Sequence, residues 1–340
     1  MKRVLLIANY KGSIGGISGQ VEMLHKSLST EGYASDIFTT HGNPIKRIGL
    51  FYKLMRVARK YDVLHIHGCS DRGMLPVVYG VIAGKIWRKR IIVTYHGGDA
   101  DKYFAKHGAF AKRWLGRADK VIVLNGYLEK VFAKYEIPCI VIPNIIELNE
   151  AQEHSVYQWE RPRLISVRHL RELYNIPCIL LAFAIVKDKI PSANLTILGD
   201  GPQRAELEQM VADDERIANS VRFVGQVKSS EIAGYLAQSD IMLSAPHIDN
   251  MPVSVMEAMN AGVLVISSRV GGVPYLVEDQ KAGLLFNLES TESDAERLAE
   301  KILWAVEHKK ESEKMIEKAK EDVKKYSWKI IREQLLPVYE

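Results

Sequence analysis

Short apolar runs recur along the whole chain, and stretches of helical period separate most of them. That alternation constrains the fold more than any other feature. Apolar runs joined by helices build parallel sheets, because only a crossover returns the chain to the same sheet end. The strand candidates in the first half are Arg3–Ala8, Ala34–Thr39, Val63–His67, Ile91–Tyr95, Val121–Leu124 and Ile140–Ile142. In the second half they are Leu164–Val167, Leu195–Leu198, Val221–Val224, Ile241–Ala245, Val263–Ser267 and Leu284–Phe286. A helix is expected over Ile17–Thr30, with Val21, Leu24 and Leu28 on one face and Gly32 past its end. Six strands per half predict an α/β chain of two Rossmann-like, doubly wound parallel-sheet domains. The 340 residues suit two domains at about 100–200 residues each. A polar, nonperiodic stretch over 148–162 marks the boundary, and the domains are expected at 1–155 and 156–325. The Lys- and Glu-rich stretch Glu292–Lys325 reads as helix with a solvated face.

With 47% hydrophobic and 26% charged residues, disorder and collagen-like structure are excluded. Cys69, Cys139 and Cys178 are scattered without CxxC spacing, which fits a reducing compartment and makes no zinc site. The opening apolar run Val4–Ala8 is too short for a signal segment, and no run approaches the roughly 20 residues of a membrane span. A cytoplasmic protein is expected, free or peripheral on the inner face of the membrane. Residues 1–160 hold 23 Lys and Arg against 14 Asp and Glu, whereas residues 161–340 hold 23 against 27. The first half is therefore the one suited to an acidic partner.

Chemistry-bearing residues gather in strand-to-helix loops, where open α/β sheets bind ligands. Gly12, Gly15, Gly16 and Gly19 follow the first strand. Their spacing, GxxGGxxG, is not the dinucleotide fingerprint, and the second strand ends in Thr39, Thr40 and His41 rather than an acid. His65 and His67 share one face of a strand, and His96 opens the loop HGGD. No third ligand stands at a metal-binding spacing, so no metal is expected. Arg168, His169 and Arg171 crowd one loop, a pattern suited to phosphate. Gly199 begins the turn GDGP. The most informative block is SAPHIDNMPVSVMEAMNAG. Asp249 or Asn250 is expected to cap a helix with Pro252 in its first turn. The amides around Val253–Val255 then form an anion site, with Glu257 one turn further in. The basic, aromatic-bearing stretches FYKLMRVARK (51–60) and GKIWRKR (84–90) suit an anionic membrane surface. Lys53, Arg56, Arg59 and Lys60 would share one helix face, opposite Phe51, Leu54, Met55 and Ala58.

In order and spacing, GSIGGISG, VIPN (141–144), GDGP, the acidic block ending in Glu257, GGVP (271–274) and AGLLF make the chain similar to the retaining glycosyltransferases of family 4. The resemblance covers nearly the whole chain and implies the GT-B architecture, two Rossmann-like domains facing across a cleft. It implies that the closing SWKIIREQLLPVY, within 326–340, is a helix crossing back to the first domain. It further implies sugar transfer from a nucleotide-sugar donor, UDP- or GDP-linked, to a glycan or lipid-linked acceptor in polysaccharide or glycolipid biosynthesis. The second domain would hold the donor and the first the acceptor. Glu257 would hold the ribose hydroxyls, and Asp249 would stand near the donor sugar. Asn250, Met251, Pro252, Ser254, Val255, Gly199 and Arg171 would bind the donor, with the backbone around Ser254 and Val255 meeting its diphosphate. Gly16 and His96 would lie near the transferred sugar. No cofactor and no nucleic acid are implied.

Three departures set this chain apart within a DNMP-bearing branch. The first acid is Asp249 rather than Glu. The usual Arg and Lys positions are His169 and Tyr174, with Arg168 and Arg171 as neighbouring cations. Tyr275 replaces the acid after GGVP. Arg168 is therefore expected to stabilise the leaving group. Two other functions share the fold: a sugar-nucleotide epimerase and a non-catalytic nucleotide-sugar-binding scaffold.

Overall fold

The structure, a computed structural model, describes residues 2–10, 12, 16–148 and 154–340, and only the backbone of 44–46. Gly15 of the glycine loop lies outside the described residues. The chain divides into two compact units, Met1–Glu147 with Tyr326–Glu340, and Leu148–Lys325.

The first unit holds a six-stranded sheet of β1 (Arg3–Ala8), β2 (Ala34–Thr39), β3 (Val63–Gly68), β4 (Arg90–Tyr95), β5 (Lys120–Val123) and β6 (Ile140–Val141). The order is β2-β1-β3-β4-β5-β6, and every pairing is parallel. Helices cover both faces, so the central strands are apolar at nearly every position rather than alternating. One face packs Leu5, Ile7, Leu64, Ile66 and Val93. The other packs Val4, Leu6, Val63 and Ile92 against Val21, Leu24 and Leu28 of the helix Gly16–Thr30. Ile331, Leu335, Val338 and Tyr339 of the closing segment complete that second face. Its helix, Trp328–Leu335, is steered by Trp328 and Arg332, which both bond Glu31.

The second unit repeats the architecture with β7 (Arg163–Val167), β8 (Asn194–Leu198), β9 (Val221–Gly225), β10 (Ile241–Ser244), β11 (Leu264–Ser268) and β12 (Leu284–Phe286), in the order β12-β11-β10-β7-β8-β9. The chain enters this unit at Leu148, ahead of the expected boundary at 155. A network ties 155–163 to Asp240, immediately before β10. Asp240, fully buried, receives Arg163 Nε at 3.0 Å, Arg163 Nη2 at 2.6 Å and the Gln158 amide at 3.1 Å. Arg163 Nη1 donates to Ser155 Oγ at 2.7 Å.

The expected helical stretch Glu292–Lys325 is two helices, Thr291–Glu307 and Lys309–Val323, broken at His308 with φ −106° and ψ 58°. The first of them is not merely a solvated face. Leu298, Ala299, Ile302 and Ala305 are buried in the core with Ile179 and Phe183.

In each sheet the strand order reverses beside the first strand of the unit, between β1 and β3 and between β7 and β10. Doubly wound folds bind ligands beyond the carboxyl ends of the strands at such points.

Candidate active site

In the second unit, the carboxyl ends of β7 and β10 carry Arg168 and Ser244 side by side. Arg168 Nη2 donates to Ser244 Oγ at 3.0 Å and ion-pairs with Asp249 Oδ2 at 2.8 Å. The guanidinium lies 5.4 Å over the Tyr174 ring. Its Nε is buried with no protein partner among the described residues. An unpaired donor on a buried cation is costly, so this atom is suited to an anionic ligand.

The loop behind Arg168 is braced by the GDGP turn. Gly199 has φ +136°, and a Cβ there would sit 1.9 Å from the Arg168 carbonyl oxygen. His169 Nδ1 bonds the Asp200 carbonyl at 2.7 Å. Gly199 therefore serves close backbone packing against Arg168. The two departures from the family pattern also acquire roles. His169 fastens the loop, and Tyr174 supports the cation from below. Arg171 is exposed at the loop surface.

Beyond β10, the helix Val253–Asn260 begins two or three residues later than a cap at Asn250 or Asp249 would place it, with Pro252 itself at the cap. No side chain caps it. Asp249 instead receives the Asn250 amide at 2.8 Å on its carboxylate and the Gly272 amide at 3.2 Å on its carbonyl, which joins the DNMP and GGVP loops. The Val255 amide is also taken, by the Pro252 carbonyl at 3.2 Å. The helix start thus offers the Val253 and Ser254 amides and the Ser254 hydroxyl, whose buried Oγ has no protein partner among the described residues. Asn250, Met251 and Pro252 are buried and shape the turn. Glu257 sits one turn in. Burial pushes its carboxyl up to about 7, against the pull of the Arg168 charge.

In the first unit, Gly16 opens the helix after β1, and His96 follows β4. The His96 amide bonds the Gly68 carbonyl at 2.8 Å, and its Nε2 lies 3.0 Å from His67 Nδ1. Burial pulls His96 down to about 4, so the ring is neutral at ordinary pH. The HGGD loop is pinned by Ser70, which bonds both Tyr95 and Asp99, and by Tyr127, whose hydroxyl donates to the Gly98 carbonyl at 3.2 Å. His65 and His67 turn their nitrogens to different partners rather than to one point. Among the described residues no three His, Cys, Asp or Glu are grouped to hold a metal ion.

Ser244 and the supporting ring of Tyr174 are the participants the sequence did not single out as helpers of Arg168. A serine at a strand end carries no local signal, because its use depends on which strand lies alongside.

A family model for glycosyl transferases group 1 matches residues 149–322, just over half of the chain. The chain belongs to this family. A model for glycosyltransferase family 4 matches residues 35–150 of this glycosyltransferase. A sulfoquinovosyl transferase of Arabidopsis thaliana is 30% identical over 42% of this chain, a match spanning 27% of that protein. The alpha-monoglucosyldiacylglycerol synthase of Streptococcus pneumoniae is 24% identical, over 84% of this chain and 75% of its own length. Among solved structures, Anabaena HepE in complex with UDP and glucose has a TM-score of 0.79 at 17% identity, with 99% of both chains covered. The fold class is accordingly that of the GT-B glycosyltransferases, each unit carrying its own parallel sheet.

Proposed function

We propose that this glycosyltransferase moves a sugar from a UDP- or GDP-linked donor to a glycan or lipid-linked acceptor with retention of anomeric configuration. The observation that carries the donor half is the buried Arg168 guanidinium, its Nε unpaired, in the same unit as the Val253–Ser254 helix end. Breaking a sugar–phosphate bond builds negative charge on the departing diphosphate. A fixed cation and helix amides stabilise that charge without reorganising, which is where enzymes gain most. Glu257, as a carboxylate, accepts both ribose hydroxyls. Asp249 orients Arg168 through their ion pair. The acceptor hydroxyl attacks on the face the phosphate leaves, and a phosphate oxygen takes its proton. The scheme calls on no metal ion. The second unit binds the donor and the first the acceptor, with neutral His96 a hydrogen-bonding partner of the sugar. The relative named as an alpha-monoglucosyldiacylglycerol synthase and the UDP-bound neighbour support this reading.

A thermal-shift panel of UDP, GDP, ADP and dTDP tests it. One nucleotide family should stabilise the wild type, by about 2.7 kcal/mol at 100 times its dissociation constant, and should fail with Glu257→Ala. The ribose hydroxyls need the ionised carboxylate, and the free carboxyl titrates at about 7. Nucleotide affinity should therefore fall as pH drops below 7, by up to about tenfold per pH unit. Glu257→Gln should bind weakly and without that slope. Affinity independent of pH in the wild type would refute the role of Glu257.

The acceptor half is proposed to meet an anionic membrane. No helix among the described residues is long and apolar enough to cross one. On the helix Pro44–Ala58 and just beyond it, Lys53, Arg56, Arg59 and Lys60 are all exposed, while Leu54 and Ala58 are buried. Exposed Ile48, Tyr52 and Ile86 stand among these cations and Lys85 and Arg88. Arg59 stacks 4.8 Å over Trp87, which joins the two basic stretches into one surface. Each such cation contributes about 1 kcal/mol near an anionic bilayer. The protein should float with vesicles containing anionic lipid, and Lys53→Glu with Arg56→Glu should leave it at the bottom of the gradient. Flotation indifferent to anionic lipid would remove the proposal.

A further inference from the structure

The proposed function uses one of three stacked histidines and leaves the other two unexplained. The His65 and His67 rings lie 4.6 Å apart and those of His67 and His96 5.3 Å apart. His65 and His67 are buried, and burial holds all three rings below their ordinary pKa, His65 at about 3. A neutral imidazole has one donor and one acceptor nitrogen, so each bond in such a series dictates the next.

The direction is set at the far end. Tyr339 is fully buried, and its hydroxyl lies 2.7 Å from His65 Nδ1. A protonated phenol is the stronger donor of that pair, so Nδ1 accepts. His65 then carries its proton on Nε2 and donates to Thr94 Oγ1 at 2.7 Å. The Thr94 hydroxyl retains its own proton to give. Thr94 and His67 both line a cavity of about 30 Å³, with Gln20 and Asn144. A water needs about 10–15 Å³ and two or more polar partners. His67 Nε2 is buried with no protein partner among the described residues, and a water that takes the Thr94 proton has protons of its own to give to that nitrogen. His67 consequently carries its proton on Nδ1 and donates to His96 Nε2 across 3.0 Å.

We infer that Tyr339, His65, Thr94, a cavity water and His67 form a one-directional hydrogen-bond relay that holds His96 as its Nδ1–H tautomer. The functional half of this inference rests on His96 belonging to the site proposed above. His67 and Tyr339 are positioning residues, since they act through His96.

The test is imidazole nitrogen NMR on the whole chain, which separates the two neutral tautomers, together with turnover. In the wild type His96 should be the single Nδ1–H form. His67→Phe keeps a ring in the stack but removes both nitrogens, and Tyr339→Phe removes only the hydroxyl. Both should give mixed His96 tautomers. His67→Phe should also lower kcat about tenfold, the factor of one lost hydrogen bond, with donor KM unchanged. Hydrogen-exchange protection of β1 and β3 should match the wild type and certify that the first unit folds in both variants. An Nε2–H tautomer in the wild type, or an unaltered Nδ1–H form in both variants, would overturn the relay. Mixed tautomers with unchanged kcat would uphold the relay and overturn the placement of His96 in the site.

Discussion

Arg168→Ala is expected to lower turnover by about 10²–10³, the range seen when a preorganised group stabilising developing charge is removed. The effect should fall on kcat more than on nucleotide affinity, since the charge on the diphosphate grows as the sugar leaves. Arg171→Ala should stay within a few-fold of wild type, because its side chain is exposed. Arg168→Lys should recover only part of the loss. A lysine supplies the charge but cannot bond Ser244 and Asp249 together while stacking on Tyr174. Steady-state kinetics on the three variants decide the matter. A larger loss in Arg171→Ala than in Arg168→Ala would transfer the role to Arg171.

Removing residues 328–340 is expected to unfold the first sheet rather than trim a tail. Ile331, Leu335, Val338 and Tyr339 are each at most 7% exposed and pack on Val4, Leu6, Val63 and Ile92. At about 1.5–3 kcal/mol for each fully buried side chain, the four supply on the order of 6–12 kcal/mol. That equals the net stability of a whole domain, about 5–15 kcal/mol. Hydrogen exchange should show β1 and β3 losing protection while β7 and β10 keep theirs. Protection unchanged in β1 and β3 would show that another element covers that face.

All twelve strands stand where the apolar runs place them, with ends displaced by one residue at most. That legibility has a physical cause. A strand covered on both faces must be apolar throughout, and a crossover helix must show its own period between strands, so each element announces itself locally. The helix start at Val253 was less legible. Asp249 and Asn250 both read as caps, but the Asp249 carboxylate is claimed by Arg168 and by the Asn250 amide. Val255 likewise counted as an open amide until the Pro252 carbonyl took it.

The fold class and the strand list were determined by the sequence alone, and so was the choice of the DNMP helix, Glu257, Arg168 and His96 as candidates. They depend on residue type and on spacing within one loop or one turn. Tertiary structure decided which of two neighbouring arginines is buried, and why a tyrosine can stand where a lysine is usual. It also decided that Gly199 packs against Arg168, and that Tyr339 reaches His65. Those facts depend on strand order. β7 lies beside β10, and the closing segment lies across β1 and β3. Contacts between residues 76 to 274 positions apart leave no periodic trace in the chain that makes them.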